Sequence, residues 1–392
     1  MDSPSFKITA KGLRWFKRGH PWIFASDLVS VPKGSAAGVA EVLGPSGEFL
    51  ALALYSPLSR IALRILSRKK GVIDETWWRS KLQRSLSKRK EMEIPSNARR
   101  LIYAEGDGLP SLIVDQYGDY LVVQILSAGL EIYKETIFKL LEELTGAAGI
   151  LERSDVSVRE KEGLPLVKRV VFGEVPQEII IEEGDLKFLV HPWEGQKTGA
   201  FLDQRSNRVA AGERAYGTAI DLFSYDGWFA CHMARKTEQV FCLESSKSAA
   251  QRLLENAKRN GLENKIAVEV GDVFDFLKSA TRAGKHVDTV NLDPPGFIKS
   301  NQDRAEGFRA YKEVNLRAMK LLRPKGLLIT SSCSYHFSFA DFKEMLNAGA
   351  RDAAVTFAET QIGHISPDHP IHPHFPEGNY LKCWFSTVVS GS

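Results

Sequence analysis

Cys333 stands in Ser331-Ser-Cys-Ser334, just after the apolar run Gly326-Leu-Leu-Ile-Thr330, and Asp293 opens Asp293-Pro-Pro-Gly296, just after Val287-Asp-Thr-Val-Asn-Leu292. A cysteine at a strand end can act as a nucleophile when its thiol is ionised or its substrate is activated; a lone cysteine there also packs as a small apolar residue. Two prolines fix an extended, amide-poor turn that leaves the Asp293 carboxylate facing a pocket. Two more acids sit in matching places: Glu244 ends Gln239-Val-Phe-Cys-Leu243, and Asp272 closely follows Ile266-Ala-Val-Glu-Val270. An acid that ends the second strand of a doubly wound sheet is placed to accept hydrogen bonds from a ribose diol. The turn ahead of it, Asp221-Leu-Phe-Ser-Tyr-Asp-Gly-Trp-Phe229, holds Gly227 but no G-x-G-x-x-G, and no G-x-x-x-x-G-K-[ST] loop occurs in the chain. The pattern favours a cofactor with a ribose and no pyrophosphate; the plain alternative is a βαβ turn with an incidental acid.

Two further polar clusters accompany these residues. In Gly195-Gln-Lys-Thr-Gly-Ala-Phe-Leu-Asp-Gln-Arg205, the residues Lys197, Asp203, Gln204 and Arg205 are expected to line a pocket wall, with Asp203 equally suited to cap the helix that runs to Ala211. His364, His369, His372 and His374 lie in a Pro-rich stretch, His364-Ile-Ser-Pro-Asp-His-Pro-Ile-His-Pro-His374. No cysteine lies near them and the prolines splay the side chains, so no metal site is expected and a mobile loop over a substrate is the reading.

Positioning such residues requires strands that alternate with helices, each polar group lying beyond the carboxyl end of a parallel strand. From residue 191 onward the sequence has that period, with helices expected over 202–212, 227–235, 246–260, 272–280 and 305–323 and a late antiparallel edge strand near 380–389. A chain of 392 residues exceeds one ordinary core, so two or three domains are expected. Residues 1–73 read as a small β-rich domain, 74–190 as a linker helix and an α+β module with a hairpin around Tyr117-Gly-Asp119, and 191–392 as the α/β domain.

Charge divides the chain unevenly. Residues 1–100 carry 19 Lys and Arg against 8 Asp and Glu, whereas the remainder carries 33 against 40. A basic module beside a mildly acidic one reads as an anchor for a polyanion next to a catalytic domain, or as a solvated basic surface. In Lys11-Gly-Leu-Arg-Trp-Phe-Lys-Arg-Gly-His-Pro-Trp22, basic and aromatic residues alternate as phosphate contact and base stacking require, which makes Lys11, Arg14 and Trp22 candidate RNA contacts; Trp15 and Trp22 suit a small core equally well. The helix expected over 74–92 adds Lys81, Arg84, Lys88, Arg89 and Lys90 to the basic excess. Four cysteines without metal or disulfide spacing suit a reducing compartment. With no run of eighteen apolar residues and no apolar segment behind Met-Asp-Ser-Pro, a cytoplasmic protein with no membrane partner is expected.

The succession of motifs resembles the class I S-adenosylmethionine-dependent ribosomal RNA methyltransferases that carry an N-terminal PUA domain, in particular the 23S rRNA cytosine-5 branch. The matching residues are His20-Pro-Trp-Ile-Phe24, Tyr55-Ser-Pro-Leu-Ser-Arg60, Glu105-Gly-Asp-Gly-Leu-Pro-Ser-Leu-Ile-Val-Asp115, Lys197-Thr-Gly-Ala-Phe-Leu-Asp-Gln-Arg205, Phe223-Ser-Tyr225 with Gly227, Asp293-Pro-Pro295, Ser332-Cys-Ser334, and Phe375-Pro-Glu-Gly378 with Tyr380-Leu-Lys382. The resemblance implies a PUA domain, a central strand–strand–helix–strand–strand module and a Rossmann-like methyltransferase domain. It implies that Phe223, Tyr225 and Gly227 surround S-adenosylmethionine, that Glu244 holds its ribose, that Asp272 lies by the adenine, and that Asp293 faces both methyl group and base. Gln204 and Arg205 would lie near the methionine end or the incoming RNA. It further implies a Cys333 thiolate that attacks C6 of a flipped-out cytosine. Dimers are common in that group.

Two departures bear on this expectation. Thr-Gly-Gly-Phe is usual after Ser-Tyr, whereas this chain has Asp226-Gly-Trp-Phe229, which puts an acid and a bulky ring in the cofactor turn with weaker binding as the expected consequence. Many cytosine-5 RNA methyltransferases have a second cysteine where this chain has Gly296, although the branch it resembles lacks it too. N2-guanine or other base methylation, with a structural Cys333, is the rival within the class. A non-catalytic RNA-binding assembly factor with a degenerate pocket is the rival outside it, and the missing glycine fingerprint disfavours a dehydrogenase.

Overall fold

The computed structural model describes residues 3–391, which form two compact units. One contains residues 1–181, 190–202 and 367–378; the other contains 182–189, 203–366 and 379–392. The boundaries read from the sequence cut at 73 and 190, and this division instead keeps the central module with the N-terminal domain.

In the first unit, a five-stranded sheet has the spatial order Ser5–Lys7, Gly38–Leu43, Phe49–Tyr55, Leu63–Ser67, Trp22–Ile23. Gly38–Leu43 alternates buried and half-buried residues, as a strand covered on one face does, and Gly44-Pro-Ser-Gly47 turns it back into Phe49–Tyr55. A second five-stranded sheet runs Val167–Gly173, Gly149–Ser154, Tyr120–Ile125, Leu112–Tyr117, Ala98–Tyr103. Ala98–Tyr103 thus adds a strand to the expected strand–strand–helix–strand–strand module. The hairpin pairs Tyr117 with Tyr120 across Gly118-Asp119, as expected.

The helix Glu75–Lys90 begins where the Asp74 carboxylate accepts from the Trp77 amide at 2.8 Å. It buries Trp78, Leu82 and Leu86 and leaves Arg84 and Lys88 exposed. Arg89 leaves the expected basic face: it is fully buried in a bidentate pair with Asp107. The His-rich stretch also differs from expectation, because its middle is fastened inside this unit. Asp368 is fully buried and its carboxylate accepts from the Arg100 amide at 2.9 Å, while its carbonyl accepts from Arg89 at 3.0 Å. His369 lies buried against Asp368, and Phe375 packs on Trp22. Paired buried polar groups of this kind hold a loop in place. Among the described residues no group of His, Cys, Asp and Glu is arranged to hold a metal ion, and no helix is long and apolar enough to cross a membrane.

The second unit is built on a seven-stranded sheet: Thr218–Leu222, Gln239–Glu244, Ile266–Val270, Val287–Leu292, Leu322–Ser332, Val355–Gly363 and Lys382–Gly391. Numbered in that order, they lie side by side as 3-2-1-4-5-7-6, with the first five parallel and the last two antiparallel to their neighbours. Helices Trp228–Ala234, Lys247–Arg259, Val273–Arg282 and Arg304–Leu321 connect the parallel strands, close to the spans expected. Sequence reading missed the helix Phe339–Ala353 and the strand Val355–Gly363. The signal for the helix was present in Ser338-x-x-Asp341, a capping box, followed by the buried Phe342, Met345 and Leu346.

Candidate functional site

All five parallel strands of the second unit end on one edge of the sheet, and the polar residues singled out in the sequence follow those ends. The first turn is the most constrained. Phe223 and Tyr225 adopt left-handed backbone conformations with φ of 63° and 47°, and Gly227 follows at 77°. Left-handed non-glycine residues cost free energy and persist where surrounding contacts over-determine them. Here the Phe223 and Ser224 amides donate to the Leu243 carbonyl at 3.1 and 3.3 Å, the Ser224 hydroxyl to the Asp221 carbonyl at 2.7 Å, and the Gly227 amide to the Ser224 carbonyl at 2.9 Å. Glu244 completes the set, accepting from the Tyr225 amide at 2.9 Å through one oxygen and from the Ser246 amide at 2.8 Å through the other. The Ser245 hydroxyl also donates to that second oxygen at 3.3 Å, so the open acceptor capacity for a ribose hydroxyl lies on the oxygen that takes the Tyr225 amide.

The two departures in this turn are accommodated inside the unit. Asp226 is 4% exposed, and its carboxylate accepts from Arg252 Nε at 2.7 Å. Burial pushes the Asp226 carboxyl up to about 6, against the pull of that guanidinium. Trp228 stacks on Phe188 with ring centroids 4.4 Å apart, and the Arg208 guanidinium lies over the Trp228 ring, 4.7 Å from its centroid. Acid and ring are therefore buried against groups of their own. Asp272 is exposed and caps Val273–Arg282 by accepting from the Asp275 amide at 3.0 Å.

Asp221, at the end of the first strand, is 1% exposed and accepts from Asn291 Nδ2 at 2.7 Å. Burial, reinforced by the charges of Asp293 and Glu244, raises its carboxyl to about 7 from 3.8. The folded state then holds this proton more tightly than the unfolded chain, so the group's ionisation opposes folding progressively from about pH 4 to 7 and fully above that. Asp221→Asn is expected to be more stable than wild type by a margin that grows over that window and levels off above it, reaching a few kcal/mol at most. Urea midpoints of both proteins between pH 4 and 9 check this.

Asp293 begins the Pro-Pro turn and is half-buried. Gln204 Nε2 donates to its Oδ1 at 2.8 Å, and Asn207 Nδ2 in turn donates to Gln204 Oε1 at 2.6 Å. Gln204, a candidate for substrate or cofactor contact, is thus 3% exposed and orients Asp293. Asn207, which sequence reading missed, orients Gln204. Gln204→Ala is expected to lower the rate of transfer by about ten- to a hundredfold, the worth of one hydrogen bond to a charged group. Initial-rate measurements at saturating cofactor read this directly. Arg205 is 4% exposed and its Nε pairs with Glu183 at 3.2 Å, beside Arg208 and His232 on the same carboxylate. Against the cost of burial, Arg208 and the His232 hydrogen bond hold Glu183 well below the usual carboxylate range. Asp203 caps no helix; its carboxylate accepts from the Tyr380 hydroxyl at 2.5 Å.

Of the four cysteines, Cys333 is exposed and Cys231, Cys242 and Cys383 are buried. Burial raises the thiols of Cys231 and Cys383 to about 12 and Cys242 well above its ordinary value. Cys333 follows the fifth strand, whose Thr330 pairs with Leu292, so it lies just beyond the level of Asp293. A Cβ placed on Gly296 would stand 3.6 Å from Cys333 Sγ and 3.4 Å from Ser334 Oγ. The glycine that occupies the second-cysteine position therefore borders the sulfur. Ser334 is buried, with its hydroxyl bonded to the Ile298 amide at 3.1 Å and the Tyr311 hydroxyl at 2.9 Å.

The remaining candidates belong to the first unit. Lys11 and Arg14 are exposed on the helix Ala10–Lys17, with Lys11 Nζ 3.1 Å from Asp27. Trp22 is half-buried, donating its indole N–H to Glu105 at 2.8 Å and packing on Phe375 at 4.6 Å. The more exposed ring of that segment is Trp15, with Arg18 over it at 5.6 Å. Lys197 is exposed, with its Nζ 4.4 Å from the centre of the Phe201 ring.

This architecture is shared with known proteins. Residues 6–68 match the PUA-like domain family and residues 209–347 the family described as conserved hypothetical protein 95. Over 391 residues the chain is 35% identical to the ribosomal RNA large subunit methyltransferase I of Yersinia pestis bv. Antiqua (strain Angola), with 97% of this chain and 99% of that protein covered. The protein of the same name from Yersinia pseudotuberculosis serotype O:3 (strain YPIII) gives the same identity and coverage. A solved SAM-dependent methyltransferase from Streptococcus mutans superposes with a TM-score of 0.85 at 22% identity, covering 98% of this chain and all 100% of that one. A solved methyltransferase complexed with SAH gives a TM-score of 0.85 at 22% identity over 99% of this chain. At that identity the likeness is one of fold.

Proposed function

Because the chain belongs to the ribosomal RNA large subunit methyltransferase I family, whose enzymes depend on S-adenosylmethionine, we propose that it methylates C5 of a cytosine in 23S rRNA through a covalent bond to Cys333. The observation that carries this reading is the exposed Cys333 beyond the fifth strand, beside the turn that Asp293 opens. Methylation of an exocyclic amine has no use for a thiol, whereas C5 of cytosine is too weak a nucleophile without one.

Phe223, Tyr225, Gly227, Glu244 and Asp272 would hold the cofactor, Glu244 through its remaining acceptor sites toward the ribose. When bound, S-adenosylmethionine supplies an electrophilic methyl group on a sulfonium. The Cys333 thiolate adds to C6 of a cytosine taken out of its stack, and the electron pair of the C5–C6 double bond becomes available at C5. Asp293, oriented by Gln204, supplies and holds a proton at N3 as the thiolate adds, which steadies the ring, and takes it back as the thiolate leaves. After C5 is methylated, loss of its proton re-forms the double bond and expels the thiolate. Gly296 offers no thiol for that proton, so a group other than a second cysteine accepts it.

The first unit would bind the RNA. Lys11, Arg14 and Arg18 follow one side of the short helix with Trp15 exposed among them, a pairing suited to phosphate contact and base stacking. The test is methyl transfer from labelled S-adenosylmethionine to rRNA that lacks the modification, followed by nucleoside analysis. Labelled 5-methylcytidine is expected; label on guanine would move the protein to the rival chemistry. No transfer and no bound cofactor would favour the assembly-factor reading.

A further inference from the structure

The strand Lys382–Gly391 begins opposite the end of the fifth strand, with Lys382 paired to Ser332, the residue before Cys333. Lys382 is 5% exposed, and its Nζ donates to the carbonyl of Ser334, the residue after Cys333, at 2.6 Å. A buried ammonium is costly unless an opposite charge or several acceptors compensate it. One carbonyl is a weak compensation, and the exposed neighbour enclosed between the two residues that Lys382 contacts is the Cys333 thiol. We propose that Lys382 is a positioning residue whose ammonium holds Cys333 as a thiolate, the form able to add to C6. The proposal rests on the reading of Cys333 as the nucleophile.

The other groups that face this pair leave that part to Lys382. On the helix Phe339–Ala353, Asp341 is committed to the Ser338 cap at 2.7 Å and to Arg304 at 2.6 Å. On Arg304–Leu321, Tyr311 shares its hydroxyl with Ser334, and burial raises its ionisation, so it brings no charge. On the Pro-Pro turn, Asp293 is an acid and brings no positive charge. Burial lowers Lys382 to about 8, with the charges of Cys333 and Asp341 opposing that shift.

Cys333 is the exposed cysteine, so the pH dependence of its alkylation by iodoacetamide, followed by mass spectrometry of the Cys333 peptide, reads its ionisation without methyl transfer. In wild type, half-maximal reaction is expected below the ordinary thiol value of about 8.5. Lys382→Met is expected to raise that midpoint by about one pH unit or more, and Lys382→Arg to leave it near wild type. A Lys382→Met profile that superposes on wild type would overturn the proposal. If that variant does not fold, a wild-type midpoint at or above about 8.5 would overturn it equally. Failure of the nucleophile reading looks different: transfer would survive Cys333→Ala whatever the alkylation profile.

Discussion

Cys333→Ala is expected to lower methyl transfer by about a thousandfold or more while cofactor affinity stays within about twofold of wild type. The size follows from the chemistry: without a bond at C6, no electron density reaches C5, and orienting groups alone do not create a nucleophile. The selectivity follows from the structure. Cys333 is exposed beyond the fifth strand, whereas the turn of Phe223, Tyr225 and Gly227 follows the first strand and draws its hydrogen bonds from Leu243 and Glu244. Loss of an exposed thiol leaves that turn and the fold intact. Single-turnover transfer and equilibrium binding of S-adenosylmethionine, measured on one preparation, separate the two effects.

Gly227→Ala is expected to be the most damaging small substitution in the turn proposed to hold the cofactor. At φ 77° a side chain costs about 1–2 kcal/mol, and a Cβ there would stand 2.3 Å from Leu253 Cγ, a fully buried core atom. The turn must shift to relieve that overlap, and with it the Tyr225 amide that engages Glu244. Total destabilisation of about 3 kcal/mol is expected, with cofactor binding reduced about a hundredfold or more. Thermal unfolding and cofactor titration of the variant report both, and a variant that binds as wild type does would show that the turn tolerates a side chain.

Much of this site was legible in the sequence because a parallel sheet delivers residues by strand order. Glu244, Asp293 and Cys333 each follow an apolar run, and the sheet order 3-2-1-4-5-7-6 brings those ends to one edge. What the sequence concealed was pairing. Gln204 and Arg205 are adjacent, yet one orients Asp293 and the other is buried against Glu183, a partner more than twenty residues earlier. Arg89 counts as surface charge in composition and is a buried partner of Asp107 in the fold. The His-rich stretch looked mobile because its prolines and polar residues suit a loop, while the buried carboxylate of Asp368 that fastens it is indistinguishable in sequence from a solvated one. Lys382 closes a matching motif in the sequence but shows no role there for a related reason: only the antiparallel register with Ser332 places it beside the residues that flank Cys333.

The central claim is a covalent bond between Cys333 and a cytosine, and it is tested most directly with an rRNA fragment in which the target cytosine carries fluorine at C5. Fluorine cannot leave as the proton does, so after addition and methylation the sulfur–C6 bond has no route to break. Wild type with S-adenosylmethionine is expected to give a protein–RNA species that survives denaturing electrophoresis and maps to the Cys333 peptide, absent without cofactor and absent from Cys333→Ala. Wild-type protein that forms 5-methylcytidine on ordinary RNA yet gives no such species, or a species that persists in Cys333→Ala, would contradict the account.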